Sequence, residues 1–263
     1  MTTYSYPMRD SMTMVRRSLK RMLRYPVLTL MVAGIPIVFL LMFAYVFGDT
    51  MGAGLGGVSG GRAEYINYLA PGILLLAVAG SAQGTAISVA LDMQEGIIAR
   101  FRTMAIARVS VLTGHVVGSV IQTMMGIALV IGVALLVGFR PNAGLVEWSA
   151  AIGLLAFIAL ALTWLSVALG LSAKSVETAS NTPMFLMLLP FLGSGFVPTE
   201  GMPVGLRWFA EYQPFTPIME TLRGLLLGTP IGNSAIFAVA WCVAIALGGY
   251  LWAKKLYNRD PVH

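Results

Sequence analysis

Charge is what this sequence has least of: 11% of its 263 residues are Asp, Glu, Lys or Arg, against about 25% in an ordinary soluble domain. With 57% hydrophobic residues and a mean hydropathy of +0.81, that scarcity excludes a water-soluble globule and points to lipid as the main solvent. A single cysteine, Cys242, inside an apolar run, excludes a disulfide framework and a cysteine metal motif. The two histidines, His115 and His263, form no HExxH and no His–carboxylate cluster, so there is no metal centre of recognisable spacing. The dipeptide Gly-Lys is absent throughout, which excludes a Walker A nucleotide site on this chain. No nucleophile and base stand at a spacing that argues for an intramembrane enzyme. A cleaved signal peptide is not expected, because the first apolar run is too long for a signal core. The net charge of +6 does not indicate nucleic acid, because the basic residues lie between apolar spans, where topology explains them.

What is present is a series of long apolar runs. A helix needs about 20 mostly apolar residues to cross the hydrocarbon. Six candidates follow: Val27 to Phe47 after Pro26, Ile66 to Leu91, Val111 to Gly138, Trp148 to Leu171, a short proline-containing run from Asn181 to Pro198, and Ile231 to Trp252. With both termini placed in the cytoplasm, 13 of the 17 basic residues fall on that side, leaving Arg62, Arg140, Arg207 and Arg223 outside. That is the bias of the positive-inside rule. Trp148, Trp208, Tyr212, Trp252 and Tyr257 fall near the expected membrane edges, as interfacial anchors or as ordinary packing residues.

The connecting segments differ in kind. In residues 8–24, Met8, Met12, Val15, Leu19 and Met22 fall on one side of a helical wheel and the basic residues on the other, the pattern of an amphipathic interfacial helix or of a plain topology signal. Gly48 to Tyr65 holds seven glycines and reads as a loop. Residues 92–110 carry Asp92 and Glu95, then an apolar and basic alternation that predicts a short cytoplasmic helix suited to docking a soluble partner, or a solvated linker. Residues 196–228 carry five prolines counting on to Pro230, and two amphipathic pieces near Val204–Tyr212 and Ile218–Leu227. These form either an outer re-entrant segment or a surface loop. Within the spans, Gln83, His115 and Gln122 are costly facing lipid, so each is expected to bond a neighbouring helix or to contact substrate. Gly80, Ser81, Gly84 and Ser88 give small faces for close helix contact. The span interiors lack a carboxylate pair or basic ladder, which argues against proton antiport, a cation channel or a voltage sensor.

Read together, the residues predict an all-α integral membrane protein of one domain, 1–263. It has six transmembrane helices, an N-terminal interfacial helix, an outer re-entrant segment and no energy-converting site of its own. Three stretches then carry a resemblance. LAPGI at the head of the second span with DMQEGIIARFRTMAIARVSVLTG after it, FVPTEGMPVGLRWFAEYQPFTPIMETLRGLLLG at 196–228, and the overall layout are similar to the permease subunits of type 2 ABC exporters, in the daunorubicin-resistance and multidrug branch. The chain departs from that pattern at Ala105, where relatives commonly carry proline, and at Gln213-Pro214, where they often carry Asn-Pro.

The resemblance implies a membrane subunit that exports a hydrophobic or amphiphilic, drug-like molecule across the cytoplasmic membrane. It pairs with a second, identical or similar permease and with two copies of a separate cytoplasmic ATPase that binds ATP and Mg. No cofactor, metal or catalytic residue is expected on this chain. Glu95, Arg100, Phe101 and Arg102 are expected to couple to the ATPase, Gln83, His115 and Gln122 to line the substrate path, and Phe215, Glu220 and Arg223 to shape the exit. A lipid, glycolipid or polysaccharide exporter stays open as an alternative, as does a scaffold that transports nothing.

Overall fold

The computed structural model describes residues 26–54, 61–96 and 108–258. The expected interfacial helix at 8–24 lies outside them, as do Arg100, Phe101 and Arg102. Helices make up all the regular structure among the described residues: α1 (Pro26–Met42), α2 (Gly48–Gly54), α3 (Arg62–Gln94), α4 (Arg108–Val137), α5 (Leu145–Ser172), α6 (Val176–Leu188), α7 (Val204–Tyr212), α8 (Phe215–Leu227) and α9 (Ser234–Tyr257). An all-helical answer follows from the solvent, because a helix satisfies every backbone donor and acceptor within its own segment where no water can.

Among the described residues, five helices are long and apolar enough to cross a bilayer: Ala33–Gly52, Arg62–Gln94, Thr113–Val137, Leu145–Ser172 and Ser234–Tyr257. The run expected as a fifth crossing, Asn181 to Pro198, is the latter part of the 13-residue α6 followed by tight turns at 189–196. Ser175 starts α6 by accepting a hydrogen bond on its hydroxyl from the Thr178 amide at 3.2 Å, which satisfies one of the free donors of the first turn. The expected glycine loop after the first span is in part helical. A π-helical turn at Phe43–Phe47 carries α1 on into α2. Gly48 keeps helical φ and ψ, and a Cβ on Gly52 would stand 2.5 Å from the Gly61 carbonyl oxygen. The glycines there allow close packing instead of breaking the helix.

α3 is the axis of the bundle. Its residues from Leu69 through Ala79 are buried without a break, and it packs against α1, α4, α5, α6 and α8. The main core gathers Leu69 to Ala82 with Ile127 and Val130 of α4, Leu155, Ile158 and Leu162 of α5, and Phe215, Ile218, Met219 and Leu222 of α8. A second cluster, Val89, Val116, Val167, Ala168, Ala253 and Tyr257, closes the end of the bundle where Asp92 lies. Helices in lipid gain little from burying apolar surface against each other, so close approach of backbones must supply contact. Three glycines permit it. A Cβ on Gly249 of α9 would lie 2.6 Å from the Leu165 amide nitrogen of α5, one on Gly170 2.6 Å from the Ala86 carbonyl oxygen of α3, and one on Gly72 2.7 Å from the Gly195 carbonyl oxygen. Gly80 and Gly84, which the sequence pattern favours, are not among the tight contacts. A Cβ on Gly80 would meet only the Met187 methyl at 3.7 Å, and one on Gly84 meets nothing within 4 Å.

Candidate functional site

Two polar constellations stand at opposite ends of α3. At the Asp92 end, His115 near the start of α4 holds Nε2 3.0 Å from Asp92 Oδ2, and both side chains are mostly buried. The carboxylate lies off the line of the ring N–H, so the contact is a close polar approach rather than an aligned hydrogen bond. The pair ties together the two ends of the segment that separates α3 from α4. Glu95 caps α3 there, its amide donating to the Leu91 carbonyl at 2.9 Å, with its side chain exposed.

Midway along the bundle, side chains join helices. Ser81 and Thr123 share a hydrogen bond of 2.5 Å between α3 and α4. Gln83 Nε2 donates to the Ser180 carbonyl of α6 at 2.9 Å. Gln122 is half-buried on α4, next to Thr123. The structure therefore brings Gln83 to a helix–helix bond and His115 to the edge of the bundle, and does not gather Gln83, His115 and Gln122 into one site.

The other constellation lies at the Arg62 end. The turn at 189–196, between α6 and α7, offers backbone carbonyls to side chains from α3, from α8 and from Gln213 between α7 and α8. Tyr68 Oη donates to the Ser194 carbonyl at 2.8 Å. The same oxygen accepts from Arg223 Nη2 at 2.8 Å. The Arg223 guanidinium lies over the Tyr68 ring, 3.9 Å from its centroid, a cation–π contact strengthened by desolvation. Tyr65 Oη reaches the Phe196 carbonyl at 3.3 Å, and Gln213 Nε2 reaches the Leu189 carbonyl at 2.9 Å. Burial lowers the pKa of the Arg223 guanidinium from its ordinary value, against the opposing effects of Tyr68 and then Glu220. The Glu220 carboxylate accepts from Ser234 Oγ at 2.7 Å, and Phe215 is buried at the start of α8.

Of the expected exit residues, Phe215, Glu220 and Arg223 thus share one helix packed into the core. Reading the sequence missed Tyr65, Tyr68, Ser194, Gln213 and Thr216, which complete that end. The available signal was the pair of tyrosines three residues apart at the head of α3, followed by an arginine in an otherwise apolar piece. Among the described residues no three His, Cys, Asp or Glu side chains converge as metal ligands.

Residues 10–227 match the ABC-2 type transporter family. The chain belongs to that family. It is a multi-pass membrane protein, with the long apolar helices that such a permease requires. Similar proteins include the daunorubicin resistance ABC transporter permease protein DrrB1 of Streptomyces coeruleorubidus, 28% identical over 220 residues that span 83% of this chain and 75% of that relative. The probable doxorubicin resistance ABC transporter permease protein DrrC of Mycobacterium tuberculosis strain CDC 1551 / Oshkosh is 22% identical over 195 residues, 73% of this chain and 71% of the relative. The protein of the same name from strain ATCC 25618 / H37Rv matches to the same extent.

Proposed function

We propose that this chain is the membrane subunit of an ATP-driven exporter that moves a hydrophobic or amphiphilic, drug-like molecule out across the cytoplasmic membrane. The observation that carries the reading is the family match over residues 10–227 together with its similarity to two drug-resistance permeases. The sequence itself offers no nucleotide motif, so the work comes from a separate ATPase, present in two copies, that binds ATP and Mg. A second permease, identical to this one, completes the assembly.

In this reading α6 with the turn that follows it makes the fifth of six crossings, both termini face the cytoplasm, and α7 with α8 forms the outer re-entrant segment. The burial of Phe215, Ile218, Met219 and Leu222 supports that last assignment. A surface loop would leave such residues in water, whereas a segment entering from the outer face packs them against the bundle. The Asp92 end is then cytoplasmic. Glu95, Arg100, Phe101 and Arg102 meet the ATPase, and the Asp92–His115 pair passes their displacement to α3 and α4. ATP must favour one arrangement of the paired bundles over the other, since equal binding to both shifts nothing.

The test is ATPase activity of the full chain reconstituted with its cognate ATPase, with and without amphiphiles, beside an Arg102→Glu variant. Stimulation by an anthracycline-like amphiphile that the variant abolishes while the complex still assembles is the expected result. Failure of the two proteins to associate overturns the reading. Stimulation by a lipid or glycolipid alone moves it to lipid export.

A further inference from the structure

The turn at 189–196 is held shut in an unusual way. Its Ser194 carbonyl takes two donors, from Tyr68 on α3 and from Arg223 on α8, and its Ser194 amide reaches Thr216 Oγ1 at 3.4 Å. Glycines let the turn seat close against α8. A Cβ on Gly195 would stand 2.7 Å from Met219 Sδ, and one on Gly193 would collide with Gln213 and Thr216.

The polar accounting of this closed arrangement is incomplete. Arg223 Nε, Ser194 Oγ and Gln213 Oε1 are buried with no hydrogen-bond partner. No carboxylate stands within ion-pair distance of Arg223 among the described residues. A half-buried cation faced by carbonyls and a ring, with no acid in contact, carries a desolvation cost, and each buried polar atom without a partner adds to that cost. Lifting the turn loses the bonds to Ser194, those of Tyr65 and Gln213 to the Phe196 and Leu189 carbonyls, and the packing of Phe196, but it gives the guanidinium and the three orphaned atoms access to water. The orphaned atoms therefore offset part of the loss, and ATP binding at the opposite end has to supply the remainder.

We propose that Tyr68 and Arg223, gripping the Ser194 carbonyl, form the outer latch of the transport path, and that the turn at 189–196 lifts when ATP is bound at the opposite end. The proposal rests on the export reading above and names the element of it that opens. Tyr68 and Arg223 act as positioning residues: they fix the turn, and no contact with substrate is invoked.

Ser194 supplies the probe, since Ser194→Cys changes one atom of a buried side chain while the gripped carbonyl stays in place. In a Cys242→Ala background this is the only thiol in the chain. The full complex with its cognate ATPase is placed in nanodiscs, and the rate of modification by a charged methanethiosulfonate reagent is measured without nucleotide and after trapping with ATP and vanadate. Labelling is expected to be slow without nucleotide and at least tenfold faster when trapped. Tyr68→Phe keeps the ring beneath Arg223 and removes one bond to the carbonyl, so it should raise the nucleotide-free rate several-fold, and Arg223→Gln should raise it further.

The latch is overturned if vanadate traps the ATPase yet labelling is unchanged, an outcome that leaves the export reading intact. It is overturned equally if Tyr68→Phe, in a complex that assembles and melts as the parent does, labels no faster at rest. If no ATPase associates at all, the export reading has failed and the latch falls with it, and co-purification of the two proteins in the same samples tells these cases apart.

Discussion

Replacing Gly249 with alanine adds one methyl group where α9 crosses the backbone of α5. The new carbon would lie 2.6 Å from the Leu165 nitrogen and 2.8 Å from the Trp164 carbonyl carbon. Contacts of this kind settle near 3.5 Å, so the helices must part by about 0.9 Å. Backbone atoms inside a helix have no rotamer to escape into, which puts the cost near the top of the ~1–3 kcal/mol range for overpacking. The gain from removing a helical glycine, ~0.5–1 kcal/mol, offsets part of it. The net loss is about 2 kcal/mol, or about 30-fold in the folding equilibrium. Gly84→Ala is the matched control, because nothing lies within 4 Å of its added carbon, and it should be neutral or stabilising. Equilibrium unfolding of the purified full chain in mixed micelles titrated with SDS, followed by tryptophan fluorescence, measures both. Equal stability of the two variants would refute the claim that backbone contact, rather than apolar area, joins α5 to α9.

Two further outcomes are expected. In a double-mutant cycle on Ser81→Ala and Thr123→Ala, the α3–α4 bond should show a coupling of ~0.6 kcal/mol and not more than ~1.7 kcal/mol, the range for hydrogen bonds between membrane helices; zero coupling in the same SDS titration would remove its structural role. Asp92→Asn and His115→Gln should each cut substrate-stimulated ATPase activity several-fold in an assembled complex, and the double variant should lose little more than either single one, since both break one link; additive losses would show that the two residues act separately.

The parts of the fold legible in the sequence were those set by run length. α3, α4, α5 and α9 fall within a few residues of their apolar runs, and α7 stands at its expected limits, because polar flanks and prolines end these helices locally. α6 was harder. Its run from Asn181 to Pro198 has enough apolar residues to cross, but helix gives way to turns after Leu188, where side chains more than a hundred residues away in the chain, Tyr65 and Tyr68, bond its carbonyls. Such partners leave no local pattern. The glycines illustrate the same limit. Gly80 and Gly84 show the small-residue spacing, yet Gly249 and Gly170 make the tight contacts. Helices in lipid are apolar on every side, so composition does not mark which face meets protein. Gln83 and His115 were visible as polar residues in apolar runs, but the bond to Ser180 and the contact with Asp92 depend on how the helices sit beside one another.

The position of α8 also sets an order for making the protein. Its buried face rests on α3 and α5, which are synthesised before it, and on α9, which is synthesised after it. Glu220 waits for the hydroxyl of Ser234 at the head of α9, and Gly224 lies under Ile231 just ahead of that helix. Until α9 docks, α8 has part of its apolar face uncovered and the Glu220 carboxylate without its Ser234 partner. A chain truncated before α9 would leave that face uncovered, so the docking of the last helix, rather than the packing of the early ones alone, completes the seat of α8.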